Sequence, residues 1–237
     1  MARLLRGRTR RRDPPLRHEL LFASPRQLDR IYDADGRAAP DFRRRVKASV
    51  VPGEWDLHWS PIEEHRKQKA CRLHFEDGVP WTDLDLFRNA RKRAAAGLVI
   101  DGCRTVEDVD ARYARLDELF RQAREEGRLR TCWELDDSCR GERRGIRVHL
   151  DRHGRFLFAG NGTHRLAIAR ILDLPVVPVG LMTAHPDAIR DGQLERLRNE
   201  RARELAKQGL AIPDRALGLP PRPFAALAYR LSRLVRP

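Results

Sequence analysis

From Ile146 the apolar residues change spacing, and this change restricts the possible folds more than any other feature of the chain. Ile146, Val148 and Leu150 alternate with Arg147 and His149, Asp151-Arg152-His153-Gly154 supplies a turn, and Phe156 and Phe158 resume the alternation. Apolar positions at every second residue on both sides of such a turn predict a β-hairpin. Gly160-Asn161-Gly162-Thr163 then breaks the second strand. Residues 164–172 read as a short helix with Leu166, Ile168, Ile171 and Leu172 inward, and residues 176–181 read as a buried strand. Pro178 cannot donate to a ladder, so it points to an edge position or a bulge.

Upstream the period is helical. Ser60-Pro61-Ile62-Glu63 spells a capping box with proline at the first helical position, predicting a helix over 61–76 that stops at Asp77-Gly78. Thr82 and Asp85 repeat the pattern for a helix ending at Gly97, and Thr105 and Asp108 repeat it again. From there Val109, Tyr113, Leu116, Phe120 and Ala123 form one stripe, closed by Gly127. Nearer the start, residues 18–23 read as a first strand, and Ser24 could cap a short helix over 25–32. Residues 193–208 alternate Glu and Arg at helical spacing, which predicts a solvated or partner-facing helix ended by Gly209. Residues 224–235 place Phe224, Leu227, Leu231 and Leu234 on one face beside Arg230 and Arg233.

The 237 residues suffice for one ordinary domain with appendages or for two small ones. No run approaches eighteen consecutive apolar residues, which excludes a membrane-spanning helix, and no apolar segment follows the basic start as in a signal peptide. A cytoplasmic protein is expected. The net charge of +14 suggests an anionic partner, yet only five of the 48 basic residues are lysine, a skew that genome composition explains more readily than phosphate recognition does. Residues 1–18 concentrate arginine against the single acid Asp13 and read as a disordered basic arm. Cys71, Cys103, Cys132 and Cys139 form no CxxC pair, so reduced, mostly buried thiols are expected. Cys71 and His74 share a helix face as an incidental pair, and no metal site is expected.

The segment that carries chemistry is the glycine-rich turn and the helix behind it. Gly160 and Gly162 permit close backbone approaches, and Asn161 or Thr163 can cap the helix. The N–H groups of the first turn and the positive dipole end suit an anion. His164 adds a group able to shuttle a proton near neutral pH, and Arg165 adds a planar fork matched to phosphate. The turn is neither a Walker loop nor a full GxGxxG, because no Lys-Ser/Thr pair and no third glycine follow.

The stretch FAGNGTHRLAIARILDLPVVPV resembles the signature of the ParB/sulfiredoxin-like superfamily. There a strand ends in a G-x-x-R box, a short helix follows, and an IPV-type strand returns. Gly162-Thr163-His164-Arg165 falls on the box and residues 175–179 on the returning strand. Val51-Pro52-Gly53-Glu54-Trp55-Asp56 and Phe75-Glu76-Asp77-Gly78-Val79-Pro80-Trp81 are similar to segments of prokaryotic members with a helical insertion before the box. The resemblance implies an α+β fold with a small mixed sheet: a domain over 19–185, a helical insertion at about 60–127, and a helical extension over 186–237. It also implies a nucleotide phosphate on Gly160, Asn161, Gly162, Thr163, His164 and Arg165. In different branches such a box serves ATP-dependent phosphoryl transfer, CTP binding in a DNA clamp, or proposed nuclease activity. Thr163 stands where sulfiredoxins carry cysteine, so sulfinate repair is not expected. No helix-turn-helix follows the box, so centromere binding is not expected, and Gly141-Glu142-Arg143-Arg144 precedes a strand and is a chance copy of the partition spelling.

The expected function is therefore binding of ATP or another nucleoside triphosphate with Mg²⁺, with phosphoryl transfer to an acceptor. Such transfer needs a carboxylate to orient or deprotonate the acceptor. Glu54 and Asp56 are the first candidates, with His164 beside the phosphate; Glu134, Asp136 and Asp137 come second, and His185 last. Two rivals stay open: a nucleic-acid-binding protein or nuclease using the arginine arm and the box, and a peripheral protein on an anionic membrane.

Overall fold

Glu19–Ala23 forms β1, buried at every position, in a computed structural model that describes residues 15–16, 18–33, 42 and 50–217. Most of the expected basic arm and the whole amphipathic stretch at 224–235 lie outside the described residues. The helix expected over 25–32 is replaced by one 3-10 turn at Pro25–Gln27, with no cap from the Ser24 side chain, followed by strand β2 (Arg30–Tyr32). Strand β3 (Trp59–Pro61) pairs with β2, placing Ser60 opposite Ile31. The capping box at Ser60 therefore does not form, because its residues are held by sheet pairing, a tertiary override of a local signal. After a 3-10 turn, helix α1 (Arg66–Phe75) begins instead at His65, whose Nδ1 accepts the Lys67 N–H at 3.2 Å.

Helix α2 (Asp85–Ala95) likewise starts without a side-chain cap, since Thr82 lies in a 3-10 turn anchored by buried Trp81. The third expectation holds in full. Helix α3 (Val106–Glu126) carries the reciprocal Thr105–Asp108 box and ends at left-handed Gly127. Val109, Tyr113 and Leu116 of its apolar stripe pack with α2, Cys71 and Trp81, while Phe120 and Ala123 join the main core with α5. A short helix α4 (Cys132–Leu135) precedes the hairpin of β4 (Ile146–Leu150) and β5 (Phe156–Phe158), which pairs antiparallel as expected. Helix α5 (Thr163–Ile171), strand β6 (Val177–Ala184), and helices α6 (Pro186–Arg190), α7 (Gln193–Lys207) and α8 (Asp214–Leu217) complete the described chain.

The fold is α+β. Among the described residues six strands lie in the order β1-β6-β4-β5-β2-β3; β4/β6 and β2/β5 run parallel and the other neighbours antiparallel, so the sheet is mixed. β6 is an interior strand, not the edge that Pro178 suggested. Pro178 is tolerated because it faces Phe22 of β1, while pairing with β4 begins only at Val179. The bulge sits further along, where Leu181 and Thr183 oppose consecutive residues Val148 and His149. Residues of β1 alternate between layers: Leu21 and Ala23 join the core containing Leu166 and Ile168 of α5, whereas Leu20 and Phe22 meet Leu205 and Leu217. Helix α7 is correspondingly not solvated all round, for Leu194, Leu197, Arg201 and Leu205 are buried. All four cysteines are free and buried. Among the described residues no helix is long and apolar enough to cross a membrane.

Candidate functional site

The glycine turn is built for packing. Gly160 and Gly162 have φ of 77° and 81°, and a Cβ on Gly162 would stand 2.6 Å from the Gly145 carbonyl oxygen and 2.7 Å from the Ile146 Cα. Only glycine lets the turn close onto the start of β4. Neither Asn161 nor Thr163 caps α5: the N-cap is Gly162, without a side-chain bond, and Thr163 Oγ1 donates to the Gly160 carbonyl at 3.4 Å. The Asn161 carbonyl accepts the Arg147 N–H at 3.1 Å.

His164 and Arg165 part company at the first turn of α5. The Arg165 Nη2 donates to the Arg130 carbonyl at 2.7 Å, tying α5 to the segment beyond α3. His164 points into the protein, is 5% exposed, and its Nε2 has no hydrogen-bond partner. Burial, followed by the charges of Lys67 and Arg112, drives its pKa down to about 3. The ring is therefore neutral at physiological pH, where the sequence suggested a titrating shuttle.

Glu54 and Asp56 stand elsewhere. Asp56 is buried against the hairpin turn, where Arg152 donates its backbone N–H at 2.9 Å and its guanidinium at 2.7–3.2 Å. That turn and the glycine turn lie at opposite ends of β4, whose five residues span about 17 Å at roughly 3.4 Å each. Asp56 is thus a clamp between the loop before β3 and the hairpin, beside the exposed Glu54. Glu134 completes a capping box with Thr131 and pairs with Arg128, and Asp136 binds Ser138 and Arg144. His185 caps α6 and contacts the Gly53 carbonyl at 3.0 Å. Cys71 is buried, while His74 stacks on Trp81 and contacts Asp117. Among the described residues no three His, Cys, Asp or Glu side chains gather as a metal site.

What His164 does join is a charged cluster that sequence reasoning missed. Gln68 Nε2 donates to the Thr163 carbonyl at 3.3 Å, bringing the first turns of α1 and α5 together. Lys67 Nζ lies 2.6 Å from Asp101 Oδ2, and Arg112 Nη1 donates to the Asp101 carbonyl at 3.3 Å. The Arg112 Nε is buried and unpartnered, as is His164 Nε2. Tyr113 sets its ring edge-on to His164, centroids 6.1 Å apart. Lys67, Asp101 and Tyr113 of this cluster line a pocket of about 470 Å³ with Arg66, Arg93 and Leu86; Arg112 and His164 are not among its lining residues. The N-terminus of α1 and the side chains of Arg66, Lys67 and Arg93 favour an anion there. The one sequence signal was Asp101-Gly102, a turn dipeptide; Arg112 looked like any polar-face arginine of α3.

A larger groove of about 780 Å³ lies between α7 and the β2–β3 edge, including Arg30, Trp59, Arg155 and Arg196. Its arginines are already paired, Arg196 with Glu200, Arg155 with Asp151, and Arg30 with Asp29 and Asp151. It offers a phosphate much less than the smaller pocket does.

No family model, curated protein or solved structure matches this chain.

Proposed function

We propose that the protein binds a phosphorylated small molecule, a nucleotide in the simplest case, in the pocket lined by the start of α1, by α2 and by Tyr113 of α3. The observation that carries this reading is the grouping of Lys67, Arg112 and His164 about Asp101, with Lys67, Arg66 and Arg93 lining the adjoining pocket. Leu86, Ala90, Ile100 and Tyr113 give the same pocket an apolar wall, and its volume suits a nucleotide-sized ligand.

The resemblance to ParB/sulfiredoxin-like proteins supports the same ligand class but centres it on Arg165. In this reading Arg165 is a positioning residue, since its fork is spent on the Arg130 carbonyl. Phosphoryl transfer from ATP is the activity the resemblance implies. Its carboxylate would be Asp101 or Glu64, which line the pocket, in place of Glu54 and Asp56. Mg²⁺ would arrive on the phosphates, with Asp101 as the nearest carboxylate to share it.

Thermal-shift titration of wild type, Arg112→Gln and Arg165→Ala with ATP, CTP, AMP and inorganic phosphate, with and without Mg²⁺, tests the proposal. A ligand at a hundred times its Kd stabilises by about 2.7 kcal/mol, and Arg112→Gln should remove most of the shift. Loss in Arg165→Ala alone would return the site to the box. No shift with any phosphate compound overturns the reading.

A further inference from the structure

Where α2 ends, five consecutive apolar residues face outward: Ala95, Ala96, Gly97, Leu98 and Val99 are all exposed. Leu98 and Val99 keep 51% and 61% of their surface in solvent. Single exposed apolar residues are ordinary, but an exposed run of this length calls for a contact. The run is also held in place. Gly97 takes the left-handed conformation, with φ of 75°; its N–H donates to the Ala94 carbonyl at 2.9 Å, and the Leu98 N–H donates to the Arg93 carbonyl at 3.0 Å. Beyond the run, the reciprocal Ile100–Cys103 backbone bonds, at 3.0 and 2.8 Å, close a second turn. Leu98 and Val99 therefore stand as a fixed tip between two closed turns.

The tip sits at the rim of the cationic pocket. Arg93 before it and Ile100 after it both line that pocket, together with Arg66 and Lys67. Asp101 is paired with Lys67, and the other acid of the lining, Glu64, is outnumbered by Arg66, Arg93 and neighbouring Lys92, all three exposed. Apolar side chains projecting beside exposed cations suit an anionic bilayer, where the chains enter the acyl boundary while the cations meet lipid phosphates. A nucleic acid offers the cations the same phosphates, but its polar, charged surface gives Leu98 and Val99 little to enter. A stable protein partner covers about 20–30 residues a side, many more than this tip presents. We propose that Leu98 and Val99 insert into an anionic membrane surface and bring a lipid headgroup phosphate to Arg66, Lys67 and Arg93. The inference rests on the phosphate reading above and names the carrier of the phosphate, a membrane phospholipid in place of a freely soluble ester.

The test is vesicle cosedimentation of the full chain, comparing vesicles of equal parts phosphatidylglycerol and phosphatidylcholine with vesicles of phosphatidylcholine alone. Wild type should bind the anionic vesicles about tenfold or more tightly than the zwitterionic ones, through the exposed cations. The double variant Leu98→Ser, Val99→Ser replaces side chains that already stand in water, so it should fold, and its melting temperature checks this. Its affinity for the anionic vesicles should fall by about tenfold or more, because two apolar side chains no longer enter the bilayer. Its thermal shift with inorganic phosphate should match that of wild type. Equal binding of wild type and the double variant, equal binding of wild type to the two kinds of vesicle, or no vesicle binding overturns the membrane inference. So does a dimer in sedimentation velocity that the double variant abolishes, which would assign the tip to a second copy of the chain. In each of these cases a thermal shift with inorganic phosphate leaves the phosphate reading standing. No response to vesicles or to any phosphate compound overturns both.

Discussion

Arg198 sets its Nε 2.7 Å from Oε1 of Glu19, a carboxylate that has no exposed surface although 179 residues separate the two in the chain. Arg201 Nη1 shares the same oxygen at 2.9 Å. This buried triad holds α7 against β1, in the middle of a sequence that looked like a solvated row of surface pairs. Removing the acid leaves two arginines facing each other in a dry interface, which costs about 3–5 kcal/mol by comparison with other broken buried pairs. Urea denaturation of Glu19→Ala should show a loss of that size. A loss below about 1 kcal/mol would place Glu19 among ordinary surface acids.

The two left-handed glycines that end and begin helices should respond differently to alanine. At Gly127 a Cβ meets nothing within 4 Å, so only the left-handed strain of about 1–2 kcal/mol is incurred. At Gly162 the same strain adds to contacts of 2.6–2.9 Å with the backbone of Gly145 and Ile146. Gly162→Ala should therefore lower Tm clearly more than Gly127→Ala does, and equal shifts in a calorimetric scan would contradict the packing described for the turn.

His164 gives the fold a pH signature. Its folded pKa, about 3, lies below the ordinary histidine value of 6.5, so the native state binds fewer protons than the unfolded chain. The resulting stability is fully present above about pH 6.5 and drains away as pH falls toward about 3. An NMR titration should find the His164 ring neutral across pH 5–8. Bound phosphate should raise its pKa, because the anion favours the charged ring.

Asp56 acts in the same acidic range for the opposite reason. Burial alone would raise its pKa, but the side-chain and backbone hydrogen bonds from Arg152 outweigh that and hold it below 3.8. Its contribution is present above the unfolded value and is lost as pH falls through the lower folded one. Acid unfolding of Asp56→Asn should therefore start from a less stable protein at neutral pH and fall less steeply below about pH 4 than wild type. The substitution should leave phosphate binding at the pocket of Lys67 and Asp101 untouched.

How far the fold could be read in advance depends on the range of the forces involved. The β4–β5 hairpin, α5 and α3 follow from local periodicity and capping, which neighbouring residues decide among themselves. Ser60 misled because pairing with Ile31 outbid its helix-capping signal. Pro178 misled because its tolerance depends on where β4 begins, which no window around Pro178 contains. At the candidate site, Gly162 and His164 were legible from the turn, but their partners were not. Lys67, Asp101 and Arg112 come from three separate parts of the helical region and meet only after α1 and α3 pack on α5. Glu54 and Asp56 stand out through a segment that resembles the family, but Trp55 between them is buried with Phe42 and Leu157 and marks a packing point.

The pairing of Glu19 with Leu181 at the β1–β6 seam also sets a schedule for the nascent chain. Ribosomes add about 5–20 residues each second, so β1 waits on the order of ten seconds for β6, its one strand neighbour among the described residues, to be made. Throughout that interval Leu20, Leu21 and Phe22 have no sheet to enter, while α1, α2 and α3 can already collapse upon one another. The strand made first is thus among the last to be sheltered, and the vulnerable period of biosynthesis falls on the β1 edge.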